Sequence, residues 1–190
     1  MRLLNTLVLL LIACLLVACD SNDDDAPSTS QGQAARATAA VQSGAQVGVT
    51  SALQGGSGKS MPTADCPQGG NVSYTQATIS GSGYSIPLTF NNCNEMTGPL
   101  TISGTNSFSA TNVSTDSRIT GTLNGLGCEV SYNGFRTISQ TNLSTQATTL
   151  RIDGSYGAQC DAGNVTCSYA NVQVDINNPA AAYEAGCKES

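Results

Sequence analysis

The chain has 190 residues, a formal net charge of −6, and seven Lys and Arg scattered along it, with no His and no Trp. Cations that sparse cannot line a phosphate-binding stripe, so nucleic acid is not an expected partner. The missing His takes away the commonest general base and the commonest metal ligand.

Met1-Arg2 opens an apolar run over residues 3–18, interrupted by Asn5 and Thr6. A membrane-spanning helix needs about 20 apolar residues, and this run stops short of that at Cys19-Asp20. Leu16-Val17-Ala18-Cys19 resembles the lipobox of bacterial lipoproteins. In that family the signal peptide is cut before the Cys, which is then acylated. Leu11-Ile12-Ala13-Cys14 fits the same pattern, but a cut there would leave Leu15-Leu16-Val17 leading the mature chain. The resemblance therefore implies a signal peptide over 1–18, cleavage between Ala18 and Cys19, and a lipid on Cys19. The membrane would then be a partner through an N-terminal lipid anchor.

Residues 19–65 read as a lipidated, flexible tether. Asp23-Asp24-Asp25 is followed by Ser, Gln, Ala and Gly in no apolar period, and residues 34–41 offer a marginal helix with nothing to pin it. The acidic tract resembles the surface-export signal of Bacteroidetes lipoproteins. Asp20 beside the Cys resembles the inner-membrane retention signal of enteric bacteria. The two imply opposite destinations, so the choice between membranes stays open. Gly55-Gly56-Ser57-Gly58-Lys59-Ser60 hints at a phosphate loop, but Leu53 occupies the position of the first Gly and no strand precedes it. No nucleotide is expected.

Apart from Cys14 and Cys19, six cysteines remain: Cys66, Cys93, Cys128, Cys160, Cys167 and Cys187. An even set in an exported chain reads as three disulfides. No C-x2-C pair or His supports a metal site, so neither metal nor cofactor is expected. Cys66 is expected to join Cys93 at the end of the strand over 84–92. Cys160 and Cys167 would clip one hairpin, leaving Cys128 for Cys187.

From Val72 the period is two. Residues 84–90 place Tyr84, Ile86, Leu88 and Phe90 on one face. Leu100, Ile102 and Phe108 share a face, as do Leu150, Ile152, Gly154, Tyr156, Ala158 and Cys160; Val172, Val174 and Ile176 end the pattern. Turn signals fall at 80–83, 91–99, 124–127, Asn133-Gly134 and 161–164. The expectation for 66–190 is an all-β domain: an antiparallel meander of eight to ten strands, built as a sandwich or a flattened, open barrel. Gly104, Gly121 and Gly154 each follow an Ile by two residues on the apolar face, which points to coiling, a bulge or a close approach. Asn178-Pro179 before residues 180–185, with Gly186 after them, predicts a short C-terminal helix. Cys66-Pro67-Gln68-Gly69-Gly70 and Leu88-Thr89-Phe90-Asn91-Asn92-Cys93 resemble the opening of a loose group of proteobacterial lipoproteins. That likeness implies a lipid-anchored β-meander and no activity.

Residues for catalysis are sparse. A Ser–Lys dyad would have to draw on Lys59 or Lys188. Sugar hydrolysis would need a pair from Glu95, Glu129, Glu184, Glu189, Asp116, Asp153, Asp161 and Asp175, most of them at turns or on polar faces. Asn91, Asn92, Asn94 and Glu95 are turn-formers before they are calcium ligands. Asn71, Asn112, Asn142 and Asn164 fit the N-x-[ST] pattern through composition. Tyr74, Tyr84, Tyr132, Tyr156 and Tyr169 offer a sugar-stacking surface or, by the parity of Tyr84 and Tyr156, a core. The expectation is a non-enzymatic, lipid-anchored envelope protein with a structural or binding role, facing the periplasm or the cell surface. An envelope protein or a glycan would be its partner. An adhesin or glycan-binding module is the alternative, with a glycan hydrolase far behind.

Overall fold

The computed structural model describes residues 29–54, 63–66, 69–75, 77–93 and 96–190. Ala18, Cys19, Lys59, Asn94, Glu95 and the segment 55–60 lie outside those residues. The alternating segments become strands: β1 (Thr63–Asp65), β2 (Asn71–Tyr74), β3 (Thr78–Ser80), β4 (Gly83–Cys93) and β5 (Met96–Phe108), followed by β6 (Asn112–Gly125), β7 (Cys128–Asn142), β8 (Thr148–Cys160), β9 (Gly163–Val174) and β10 (Cys187–Glu189). All join one antiparallel sheet in the order β1-β2-β4-β5-β6-β7-β8-β9-β10, with β3 pairing β4 on the same edge as β2. The sheet is an open meander, with β1 and β10 at its two ends. Tyr84, Ile86, Leu88 and Phe90 are all buried, as the alternation requires.

The long strands keep their inward faces apolar only by breaking register. In β7, Phe135 pairs with Ile119 and Asn133 with Thr120, so Gly134 is an extra residue with φ +68°. Asn133-Gly134, expected as a turn, is therefore a bulge inside a 15-residue strand. Its effect is to carry the inward parity from Tyr132 to Phe135. Ile152 pairs with Val172 and Gly154 with Tyr169, so β9 carries one more residue than β8 there. Gly154 at φ +94° and Asn171 at φ +53° mark that bulge, while Gly121 in β6 sits at φ +125°. Gly121, Gly134, Gly154 and Asn171 thus form a line of irregularities across β6–β9, which sharpens the coiling of the sheet, whereas Gly104 keeps regular register.

The tether expectation needs its main correction here. Ser30–Gln54 forms a 25-residue helix, α1, on the inner face of the sheet. Ala34, Thr38, Val41, Ala45, Gly48 and Ala52 recur at helical spacing and are all buried. The stripe is small rather than strongly apolar, so it does not stand out by hydropathy. Thr29 caps the helix, its Oγ1 accepting the Gly32 N–H at 3.1 Å. At the N-terminal end Gln33 Oε1 accepts the Ala162 N–H from the β8–β9 turn. Further along, Gly44 lies against Phe90, where an added Cβ would stand 2.7 Å from the ring. Gly48 meets Leu88 and Val72 in the same way. The helix therefore bridges the two arms of the open sheet, and that packing offsets the roughly 1 kcal/mol each that internal glycines cost a helix.

Three disulfides close the same end of the molecule: Cys66–Cys93, Cys128–Cys160 and Cys167–Cys187. The first is the expected pair; the other two replace Cys160–Cys167 and Cys128–Cys187. The reason is register. A two-residue turn places Gly163 opposite Cys160, so Cys167 falls opposite Tyr156, several residues along the ladder. Cys128 instead faces Cys160 directly, and Cys167 faces Cys187. The expected helix forms as α2 (Pro179–Ala185), with Asn178 Oδ1 capping the Ala181 N–H. Between α1, α2 and the sheet lies an aromatic cluster of Tyr132, Phe135, Tyr156, Tyr169 and Tyr183. The Phe135 ring meets Tyr156 edge-on, with centroids 5.4 Å apart.

Candidate functional site

The molecule has two halves. In the stapled half, residues 128–132 of β7 and 165–169 of β9 alternate strictly between buried and exposed, because α1 or α2 covers one face. Beyond the line of bulges the alternation disappears. Residues 112–117 of β6 and 136–139 of β7 are half-buried without exception. Mostly short side chains, with Arg136 and Ile138 on the outer face, give that pattern in a single layer.

The far half has two chemically different faces. Outward, Arg136 opposes Arg118 on β6 and Asp153 on β8. It grips Asp116 through two hydrogen bonds, Nε to Oδ1 at 2.8 Å and Nη2 to Oδ2 at 2.6 Å. The Arg136 bonds hold the Asp116 carboxyl below its ordinary range, and Asp116 raises the guanidinium in return. Asp153 Oδ1 accepts the Asn171 N–H at the bulge, and Arg151 stands opposite Ile138. This is a solvent-facing network of mixed charge, with Arg118 and Arg136 directly opposite each other.

Inward, the same strands present hydroxyls and apolar groups. Thr115 bonds Ser139, Thr141 bonds Thr148 at 2.9 Å, and the Tyr84 hydroxyl reaches Ser117. Thr137 Oγ1 is buried without a hydrogen-bond partner. The large apolar side chains exposed among the described residues are Ile79 (67%), Phe108 (58%) and Val172 (36%). Ladder register puts all three on this inner face: Ile79 through Tyr84, Phe108 through Val113, and Val172 through Ile152. Phe108 is expected on the same face as Leu100 and Ile102. It shares their face, but neither helix packs substantially on β5 or β6, so the strand's far end stays uncovered.

The remaining candidates are scattered. Glu129 sits on the outer face of β7, Asp161 in the β8–β9 turn, Glu184 on α2 and Glu189 in β10. Asp175 caps a turn by accepting the Asn177 N–H. Asp116 is displaced toward ionisation, the opposite of what a general acid requires. Lys188 belongs to β10. Among the described residues, no three His, Cys, Asp or Glu side chains cluster closely enough to hold a metal. Asn71, Asn112, Asn142 and Asn164 lie at strand ends or turns, and Asn91 and Asn92 lie in β4.

Tyr74, Tyr84, Tyr132, Tyr156 and Tyr169 are all buried, so the structure favours the core reading over a sugar-stacking surface. Burial pushes the Tyr84, Tyr132, Tyr156 and Tyr169 phenols upward. Tyr132 bonds Thr38 on α1 at 3.2 Å, and Tyr169 donates to the Tyr183 carbonyl. These bonds make the tyrosines part of the scaffold. Sequence reasoning missed the inner face of the far half. Its signal, a run of Thr and Ser with isolated apolar residues, cannot be told from an ordinary wet strand before the covering helices are located. Comparison with family models, with curated proteins and with solved structures finds no match.

Proposed function

We propose that this chain is a lipid-anchored protein of the bacterial cell envelope with a non-enzymatic structural or binding role. In this reading the stapled half is the scaffold and the inner face of the far half makes the contact. The observation that carries the binding role is the partly covered single layer, left without a helix over β5 and β6, with Ile79, Phe108 and Val172 exposed on one face. A sheet ordinarily buries at least one face, and exposed apolar groups that share one side of a layer favour an interaction site there. The anchor rests on Leu16-Val17-Ala18-Cys19. Three disulfides support an oxidising compartment, the periplasm or the cell surface.

A glycan-binding role is the second reading, favoured by Phe108 and Asn106 exposed on one face beside hydroxyls. Against it, most of the aromatic side chains lie inside the core. Protease treatment of intact cells, compared with cells whose outer membrane is breached, tests the location. Release of the stapled domain from intact cells means the surface, and release only after the breach means the periplasm. If Cys19→Ser leaves membrane attachment and processing unchanged, the anchor assignment fails.

A further inference from the structure

We propose that the inner face of the far half is a homodimer interface, on which a second copy of this chain lays the same face, sheet on sheet. The inference rests on the reading that this face makes the contact, and it names the occupant.

Charge is the first argument. The outer face of these strands carries Arg118, Arg136, Arg151, Asp116 and Asp153, whereas their inner face carries no titratable acid or base other than the buried Tyr84 phenol. Two copies of a chain with net charge −6 repel each other in general, and a charge-free face is where they meet at least cost. Architecture is the second. A single layer lacks the second layer of a sandwich, and an identical sheet supplies one about 10 Å away. A two-fold arrangement of this kind uses the same patch on both partners and closes on itself.

Area is the third argument. Six strands at about 4.8 Å spacing, each about five residues long at 3.3 Å per residue, span roughly 400–500 Å², within which Tyr84, Thr141, Ile152 and Val174 are already buried. Two such faces bury at most roughly 800–1,000 Å², below the size of a standard specific interface and in the range of weak, transient ones. The expected dimer is thus weak and reversible, and attachment of both copies to one membrane would favour it. A neutral sugar fits less well. Phe108 is the lone exposed aromatic ring here among the described residues, and the hydroxyls of Thr115, Ser139, Thr141 and Thr148 already bond one another.

Asn106 and Thr105 are exposed neighbours on opposite faces of β5, Asn106 inward and Thr105 outward. The test uses the full chain in its own membrane, expressed as two differently tagged copies with a photo-reactive residue at 106 or at 105. The expected result is a doubly tagged adduct from position 106, at least tenfold weaker from 105, and at least tenfold weaker when the 106 probe is combined with Phe108→Ser. Equal yields from the two positions would overturn the proposal. An adduct from 106 joined to a different molecule would overturn the second copy while leaving the contact face standing. No adduct from either position would overturn both.

Discussion

The stapled half and the far half share six strands, β4–β9, and one composition, yet they are built on different terms. In the first, β7 and β9 alternate buried and exposed residues under α1 and α2, and three disulfides lie across adjacent strands or the chain's entry. In the second, the same strands run on beyond Gly121, Gly134, Gly154 and Asn171 as one half-buried layer. The lesson concerns coverage. Whether a strand face is core is decided by what lies over it, and the residues on the face do not settle it alone.

Substitutions on either side of that line should separate sharply. Phe135 is wholly buried amid four tyrosines, and Phe135→Ala should lower unfolding free energy by about 3–5 kcal/mol, read by denaturant titration. Replacing Cys128 and Cys160 together by Ser opens a loop with a sequence separation of 32. Its chain-entropy cost is about 3–4 kcal/mol, visible as a lower midpoint under non-reducing conditions. Gly44→Val drives methyls into the Phe90 ring and should cost about 1–3 kcal/mol. A chain in which that variant unfolds like the wild type would not have α1 seated on β4.

The far half should respond weakly. Asp116 and Arg136 are each about a third exposed, so their pair contributes under about 1 kcal/mol. Because the folded Asp116 carboxyl is shifted downward, its contribution is present above the unfolded value near about 3.9 and is lost as pH falls through the folded one. Melting of Asp116→Asn should therefore fall slightly below wild type at neutral pH and converge with it in acid, as pH falls through the lowered Asp116 value. Phe108→Ser should change monomer stability least of all, by about 0.5 kcal/mol or less, since the ring is already in solvent.

The alternation over 84–90 and 150–160 was enough to read the sheet, because Ile, Leu, Phe and Tyr on one side of a strand leave no second interpretation. The C-terminal helix was equally legible from Asn178-Pro179 and Gly186. The turn at 161–164 was legible too, but its length was not. A two-residue turn sets Cys160 opposite Gly163, and only a loop of about six residues would set it opposite Cys167, so turn length decides that pairing. Asn133-Gly134 has the composition of a hairpin turn, yet its neighbours continue the ladder on both sides, so it bulges. The helix α1 was the largest omission. Ala34, Ala45, Gly44 and Gly48 are small rather than strongly apolar, and Gly44 and Gly48 let the helix approach Phe90 and Leu88 closely. The contact face of the far half was hidden with it, because the uncovered region is visible only after the covered one is known.

Amide hydrogen exchange on the full chain, resolved by segment, tests the two-half account most directly. Residues 34–52 of α1 should exchange as slowly as residues 128–132 of β7, and both more slowly than residues 112–117 and 136–140. Exchange of α1 within seconds, while the strands around it stay protected, would return residues 30–54 to a tether and contradict the account.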